Sequence, residues 1–118
     1  MEKVMKVAKR FVNERKEFFQ NAERRIKRLI RNTKSILKDA EIYVFGSYVK
    51  KRHNVFTSDI DVLIVSKEIE GMSMLERARI IAKMREGIPG AYIFQIHLVT
   101  PEEFRIYKRF IDAIKRVA

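Results

Sequence analysis

Two apolar runs, Ile42–Phe45 and Ile60–Val65, flank a stretch that opens on Gly46-Ser47 and closes on Asp59-Ile60-Asp61, with eleven residues between Ser47 and Asp59. No other part of the chain restricts the fold so tightly. Short apolar runs bounded by turn residues read as strands, the first stopped by Gly46 and the second leaving the acid pair. Side chains alternate along a strand, so Asp59 and Asp61 project from one face while Ile60, Val62 and Ile64 take the other. Two carboxylates on one face can hold a divalent cation through oxygen. A Gly-Ser turn at the end of a strand presents free backbone N–H groups, which suit an anionic phosphate. Acids for a metal beside a turn for phosphate point to chemistry on a metal–nucleotide complex.

Ahead of this stretch, apolar residues including Val4, Val7, Phe11, Phe18, Ala22, Ile26, Leu29 and Leu37 recur with a helical period, and no Pro or Gly precedes residue 40. The pattern predicts one long helix or two helices hinged near Asn13–Asn21. Residues 1–23 read as a basic helical extension of a single domain spanning 1–118. So long a stripe exceeds what a small domain can cover, so its first half is expected to meet a partner or a second copy of the chain.

Beyond Gly46, Ser47–Arg52 fit a short helix and His53–Ser58 a loop. Met74–Glu86 predict a helix closed by Gly87, Pro89-Gly90 a turn, and Ala91–Val99 a third strand. Thr100-Pro101-Glu102-Glu103 supply an N-cap, a proline at the first helical position and a capping-box glutamate. The last helix is expected to reach about Val117, with Phe104, Tyr107, Ile111 and Ile114 inward. This order predicts an α/β (α+β) domain: a small mixed sheet of three to four strands, with helices mainly on one face. On the third strand, alternation puts Tyr92, Phe94, Ile96 and Leu98 toward the helices. Ile93, Gln95, His97 and Val99 then look out on the carboxylate side.

Charge adds a second line. The chain carries 26 Lys and Arg against 15 Asp and Glu, a net +11. Residues 1–38 hold 13 of those Lys and Arg and only 4 Glu. Such a surface attracts nucleic acid, anionic lipid or an acidic protein, or else is a solvated helix face. Phe11, Phe18 and Phe19 lie on the apolar stripe, where they cannot readily stack on bases. The absence of cysteine excludes disulfides and thiolate metal sites and fits a reducing, cytoplasmic setting. No apolar run approaches the roughly 18 residues of a membrane span, so no membrane role is expected.

The Gly46-Ser47 turn, the interval and Asp59-Ile60-Asp61 in a strand–turn–loop–strand frame resemble the nucleotidyltransferases of the polymerase beta superfamily, and the size resembles its minimal members. The resemblance covers roughly residues 24–118. It implies a nucleoside triphosphate substrate, ATP or another NTP, with Mg²⁺ or Mn²⁺ bound by Asp59 and Asp61. Gly46 and Ser47 would grip the β- and γ-phosphates, and Lys50, Lys51 and Arg52 would add positive charge nearby or form a solvated face. A third carboxylate is expected on the neighbouring strand, at the position that Gln95 occupies, with His97 two residues on. The product would be a nucleoside monophosphate on a protein or RNA hydroxyl. Small cores of this kind often stand beside a helical HEPN-type partner in toxin–antitoxin pairs.

Other classes stay open on the residues alone. With Gln95 in place of an acid, the chain fits a degenerate nucleotide-binding module or an antitoxin-type subunit without turnover. Its first helix also fits a basic nucleic-acid-binding protein.

Overall fold

The computed structural model describes residues 1–118. The apolar stripe of the first third forms two helices, α1 (Glu2–Gln20) and α2 (Ala22–Ile36), broken at Asn21. The Asn21 side chain donates to the Glu17 carbonyl at 2.9 Å, offering the backbone a local alternative to continued helix. Helix α2 buries Ala22, Ile26, Leu29 and Thr33, one face at helical spacing. Helix α1 buries only Arg15 and Phe18. Its first half leaves Met1, Val4, Met5, Val7 and Phe11 exposed. No helix of the chain is long and apolar enough to cross a membrane.

The sheet contains β1 (Glu41–Phe45), β2 (Ile60–Val65), β3 (Phe94–Val99) and β4 (Lys115–Arg116). Its order is β3-β2-β1-β4. Strand β1 runs antiparallel to both neighbours, whereas β2 and β3 are parallel and joined through helix α3 (Met74–Met84). Ile42, Val44, Ile60, Val62, Ile64, Phe94, Ile96 and Leu98 meet Phe18, Ile26 and Leu29 in the main core. On the opposite face Leu63, Val65, Val99 and Phe104 form a smaller core beneath helix α4 (Pro101–Tyr107). That cover stops short of Asp59 and Asp61, so one end of the second face stays open. The mixed sheet, with most of its helices on one side, is the expected architecture.

Two features correct the sequence reading. Helix α4 ends at Tyr107 instead of continuing toward Val117. Ala113 takes φ 50°, which an α-helix cannot accommodate. The chain then turns onto the free edge of β1, where Val117 N–H donates to the Ile42 carbonyl at 2.8 Å and Ile42 N–H to the Ala118 carbonyl at 3.0 Å. Unpaired edge groups of a central strand outweigh a helical period in a tail. Phe104 stays inward as expected, and Tyr107 and Ile111 pack partly against it, but Ile114 is exposed. The third strand also starts late, because Ala91–Ile93 form a 3-10 turn. Alternation fails there: Ile93 is buried and Tyr92 exposed, the reverse of the expected placement.

The corner between α2 and β1 is held by Asp39, which accepts from Ser66 Oγ at 2.6 Å and from Lys67 N–H at 2.8 Å. Desolvation pushes the Asp39 carboxyl up, but these bonds together outweigh it and hold the group below the usual carboxylate value. Asp39→Ala is expected to cost about 1–3 kcal/mol at neutral pH, because buried Ser66 loses its acceptor. The stabilising effect of the ionised carboxylate is full above its ordinary value of 3.8 and fades as the pH falls through the lowered one. Urea melts of both proteins at pH 7 and pH 3 measure the difference and its loss.

Candidate functional site

Strand β1 delivers the chain to Gly46, whose φ of +80° turns it sharply away from the sheet. Residues 46–51 form hydrogen-bonded turns instead of the expected short helix. Lys50 N–H donates to the Gly46 carbonyl at 3.2 Å and Arg52 N–H to Ser47 at 2.9 Å, while Lys51 at φ 56° ends any helical path. The amides of Ser47, Tyr48 and Val49 donate to no carbonyl of the chain. This one-turn arch has the oriented free N–H groups of an anion-binding concavity.

Against the arch stands Asp61. A Cβ built on Gly46 would lie 2.5 Å from Asp61 Oδ2, so only glycine lets turn and carboxylate approach this closely. Desolvation pushes the Asp61 carboxyl above the ordinary value; His97 opposes the shift and Asp59 adds to it. Asp59, one residue ahead of β2, is half exposed, with its Oδ1 3.9 Å from Arg15 Nη2. The parallel register sets Gln95 directly beside Asp61 and His97 beside Leu63. Gln95 is exposed. His97 packs between Phe45 and Tyr107, with ring centroids 5.6 and 5.8 Å away.

The donor chemistry of Asp59 and Asp61, two carboxylates one residue apart at the start of β2, fits one hard divalent cation. It is sparse for two. No group of three or more His, Cys, Asp or Glu side chains converges anywhere in the chain, and the residue beside Asp61 is an amide.

The three basic residues after the arch separate. Lys50 Nζ pairs with Asp112 at 2.8 Å, in the segment that follows α4. Lys51 turns to the other side of the arch, into a groove of about 580 Å³ lined also by Ile26, Ile30, Val44, Tyr48 and His53. Neither acid lines that groove, so the apolar concavity and the carboxylate site are separate places. Arg52 is exposed. His53 stacks on Phe19 with centroids 5.0 Å apart, an aromatic contact that its sequence neighbours do not announce.

Two residues absent from the sequence reading lie near Asp59. Arg15 is 4% exposed, and no acidic residue of its own helix pairs with it. Arg85 donates to the Ala91 and Phe94 carbonyls, the latter at 2.8 Å. Burial lowers its affinity for the proton and the Asp59 charge restores part of it. Arg15 had a signal: it interrupts the apolar stripe between Phe11 and Phe18, where a charge needs a reason. Arg85 had none, because it follows a helix whose end is rich in charge.

The family model of the nucleotidyltransferase domain matches residues 26–118. A crystal structure of a candidate nucleotidyltransferase is 35% identical, with a TM-score of 0.58, covering 83% of this chain and 99% of its own. Another candidate nucleotidyltransferase, from Sulfolobus solfataricus, shares the fold at 20% identity and a TM-score of 0.58, covering 90% of this chain and 84% of its own. Among curated proteins none matches. The match takes in β1, the arch, the acid pair and β3 as one unit, and the chain belongs to the nucleotidyltransferase family as a minimal member of the polymerase beta superfamily.

Proposed function

We propose that the protein transfers a nucleoside monophosphate from an NTP, ATP by preference, to a hydroxyl of a protein or RNA acceptor, with Mg²⁺ or Mn²⁺ bound at Asp59 and Asp61. The apposition of Gly46 and Asp61 supports this reading, because a turn with free N–H groups stands against a carboxylate, the two kinds of group that a metal-bound triphosphate requires. The N–H groups of Ser47 and its neighbours hold the β- and γ-phosphates, which orients the α-phosphorus toward the acid pair. The acceptor oxygen forms the new P–O bond and the bond to pyrophosphate breaks. The hydroxyl proton leaves to water, since Gln95 has no basic atom. A bound cation supplies charge neutralisation on the phosphoryl oxygens. A protein acceptor of the helical HEPN type, in a cytoplasmic toxin–antitoxin pair, fits a core with no room for an elaborate acceptor pocket. A homodimer through α1 is the competing use of its exposed apolar stripe.

The test supplies ATP labelled at the α-phosphate, Mn²⁺ or Mg²⁺ and candidate acceptors. Label transfer lost in Asp59→Ala supports the reading; equal transfer in that variant defeats it.

The register of Gln95 beside Asp61 favours a second reading, a nucleotide-binding subunit with little turnover. Gln95→Asp is then expected to raise transfer about 10-fold or more by adding the missing carboxylate. Initial rates of labelled product at saturating ATP decide it, and no increase counts against Gln95 as the limiting position.

A further inference from the structure

Helix α1 precedes the residues matched by the family model, yet it reaches Asp59. Arg15 Nε donates to the Val55 carbonyl at 2.7 Å and its Nη2 donates to the Ser58 carbonyl. The same Nη2 lies 3.9 Å from Asp59 Oδ1. The guanidinium sits against the rings of Phe11 and Phe19, 5.8 and 5.9 Å from their centroids. One residue on, Lys16 Nζ lies 5.9 Å from the Phe56 ring centroid. The loop that receives these contacts is itself a closed turn, with Ser58 N–H donating to the Asn54 carbonyl at 2.8 Å and Asn54 N–H to Ser58 Oγ at 2.8 Å. Its outward carbonyls at Val55 and Ser58 are left for Arg15 to satisfy.

We propose that Arg15 is a positioning residue for nucleotidyl transfer: its planar fork fixes the 54–58 loop and thereby the backbone from which Asp59 projects. The inference rests on the transfer reading above. Packing alone does not explain an arginine here. Taking a guanidinium out of water is costly before its partners are counted, and an apolar side chain of similar length would fill the slot between two phenylalanines without that desolvation. What arginine adds is two directed N–H bonds to the loop and a charge beside Asp59, functions that lysine, a point charge on a flexible stem, reproduces poorly. Groups that orient a ligand in this way commonly change affinity or activity about 10–100-fold when removed.

Three full-length variants test the idea. Arg15→Met keeps the packing and loses the fork, Arg15→Lys keeps the charge and loses the fork, and Lys9→Gln changes an exposed residue of the same helix. Thermal melts, amide hydrogen exchange and turnover of labelled ATP are read for each. In Arg15→Met the melting temperature is expected to stay within a few degrees of wild type, while exchange at residues 54–61 quickens at least 10-fold and kcat falls about 10–100-fold. KM for the nucleotide stays within about threefold, because Arg15 does not touch the phosphate turn. Arg15→Lys follows the same pattern, and Lys9→Gln matches wild type throughout. Wild-type kcat in Arg15→Met, or exchange at 54–61 that is no faster than wild type, overturns the proposal.

If wild type transfers nothing to any acceptor, the functional reading fails by itself, and Mn²⁺ then serves as the probe. In Arg15→Lys the Mn²⁺ concentration that broadens the amides of residues 59–61 is expected to rise about 10-fold. Equal broadening in the two proteins rejects the positioning role.

Discussion

Asp61→Asn is expected to abolish nucleotide transfer and leave the protein at least as stable as wild type. On the proposed function, the loss of activity follows from replacing a charged oxygen ligand by an amide at the carboxylate that stands against the Gly46 turn. A fall of at least about 10³-fold, or about 4 kcal/mol of transition-state stabilisation, is the scale for losing a metal-held charge clamp. The stability follows from the site itself. Desolvation, opposed in part by His97, and repulsion by Asp59 hold the Asp61 carboxyl above its ordinary value, and no hydrogen bond stabilises the charged form. Between the ordinary and the raised value the folded protein binds the proton more tightly than the unfolded chain. Ionising Asp61 therefore lowers stability as the pH rises through that window, and the cost is fully present above it. Asparagine removes the charge and the cost together. Melting curves of both proteins at pH 7 and pH 3 check this: a variant clearly less stable at pH 7 contradicts it. Wild type should lose its deficit on acidification.

Gly46→Ala is expected to damage both folding and transfer, for two separable reasons. The residue sits at φ +80°, a conformation that costs an L-residue about 1–2 kcal/mol. Its new Cβ would also stand 2.5 Å from Asp61 Oδ2, so the carboxylate must swing away. Displacing a reacting-site group by about 1 Å can cost about 10²-fold in rate. Gly71 provides the control. It has the same φ of +80°, and a Cβ added there would meet nothing within 4 Å. Gly71→Ala should show the strain in its melting temperature and keep wild-type turnover, whereas Gly46→Ala loses turnover even at temperatures where it is folded. Similar activity in the two alanine variants would show that contact with Asp61 is unimportant.

The parts of this molecule that depend on neighbours in sequence were legible. The period-two pattern of Ile60–Val65 placed Asp61 opposite the apolar face, and the same alternation brought Gln95 to the strand position beside it. The capping box was equally plain: Thr100 Oγ1 accepts from Glu103 N–H at 3.2 Å, and Glu103 Oε1 accepts from Thr100 N–H at 2.9 Å. Where the chain departs from strand geometry, alternation misled, as at Tyr92 and Ile93 before β3. The arch after Gly46 shares its opening turn with a helix, and the left-handed Lys51 and the five-residue span from Arg52 N–H to Ser47 tell them apart.

Sequence alone therefore determined the glycine turn, the acid pair, the amide beside it and the nucleotidyltransferase frame, because each rests on short-range periodicity or on a spacing within one supersecondary unit. Tertiary structure decided what covers and what tunes them. Residues 115–118 became the edge of the sheet because β1 had unpaired N–H and carbonyl groups some seventy residues earlier. Arg15 became a neighbour of Asp59 because the 54–58 loop needed donors that its own residues could not supply. Such pairings are set by which unsatisfied groups meet after the core closes; the stripe marks Arg15 as out of place, but no local pattern names its partner.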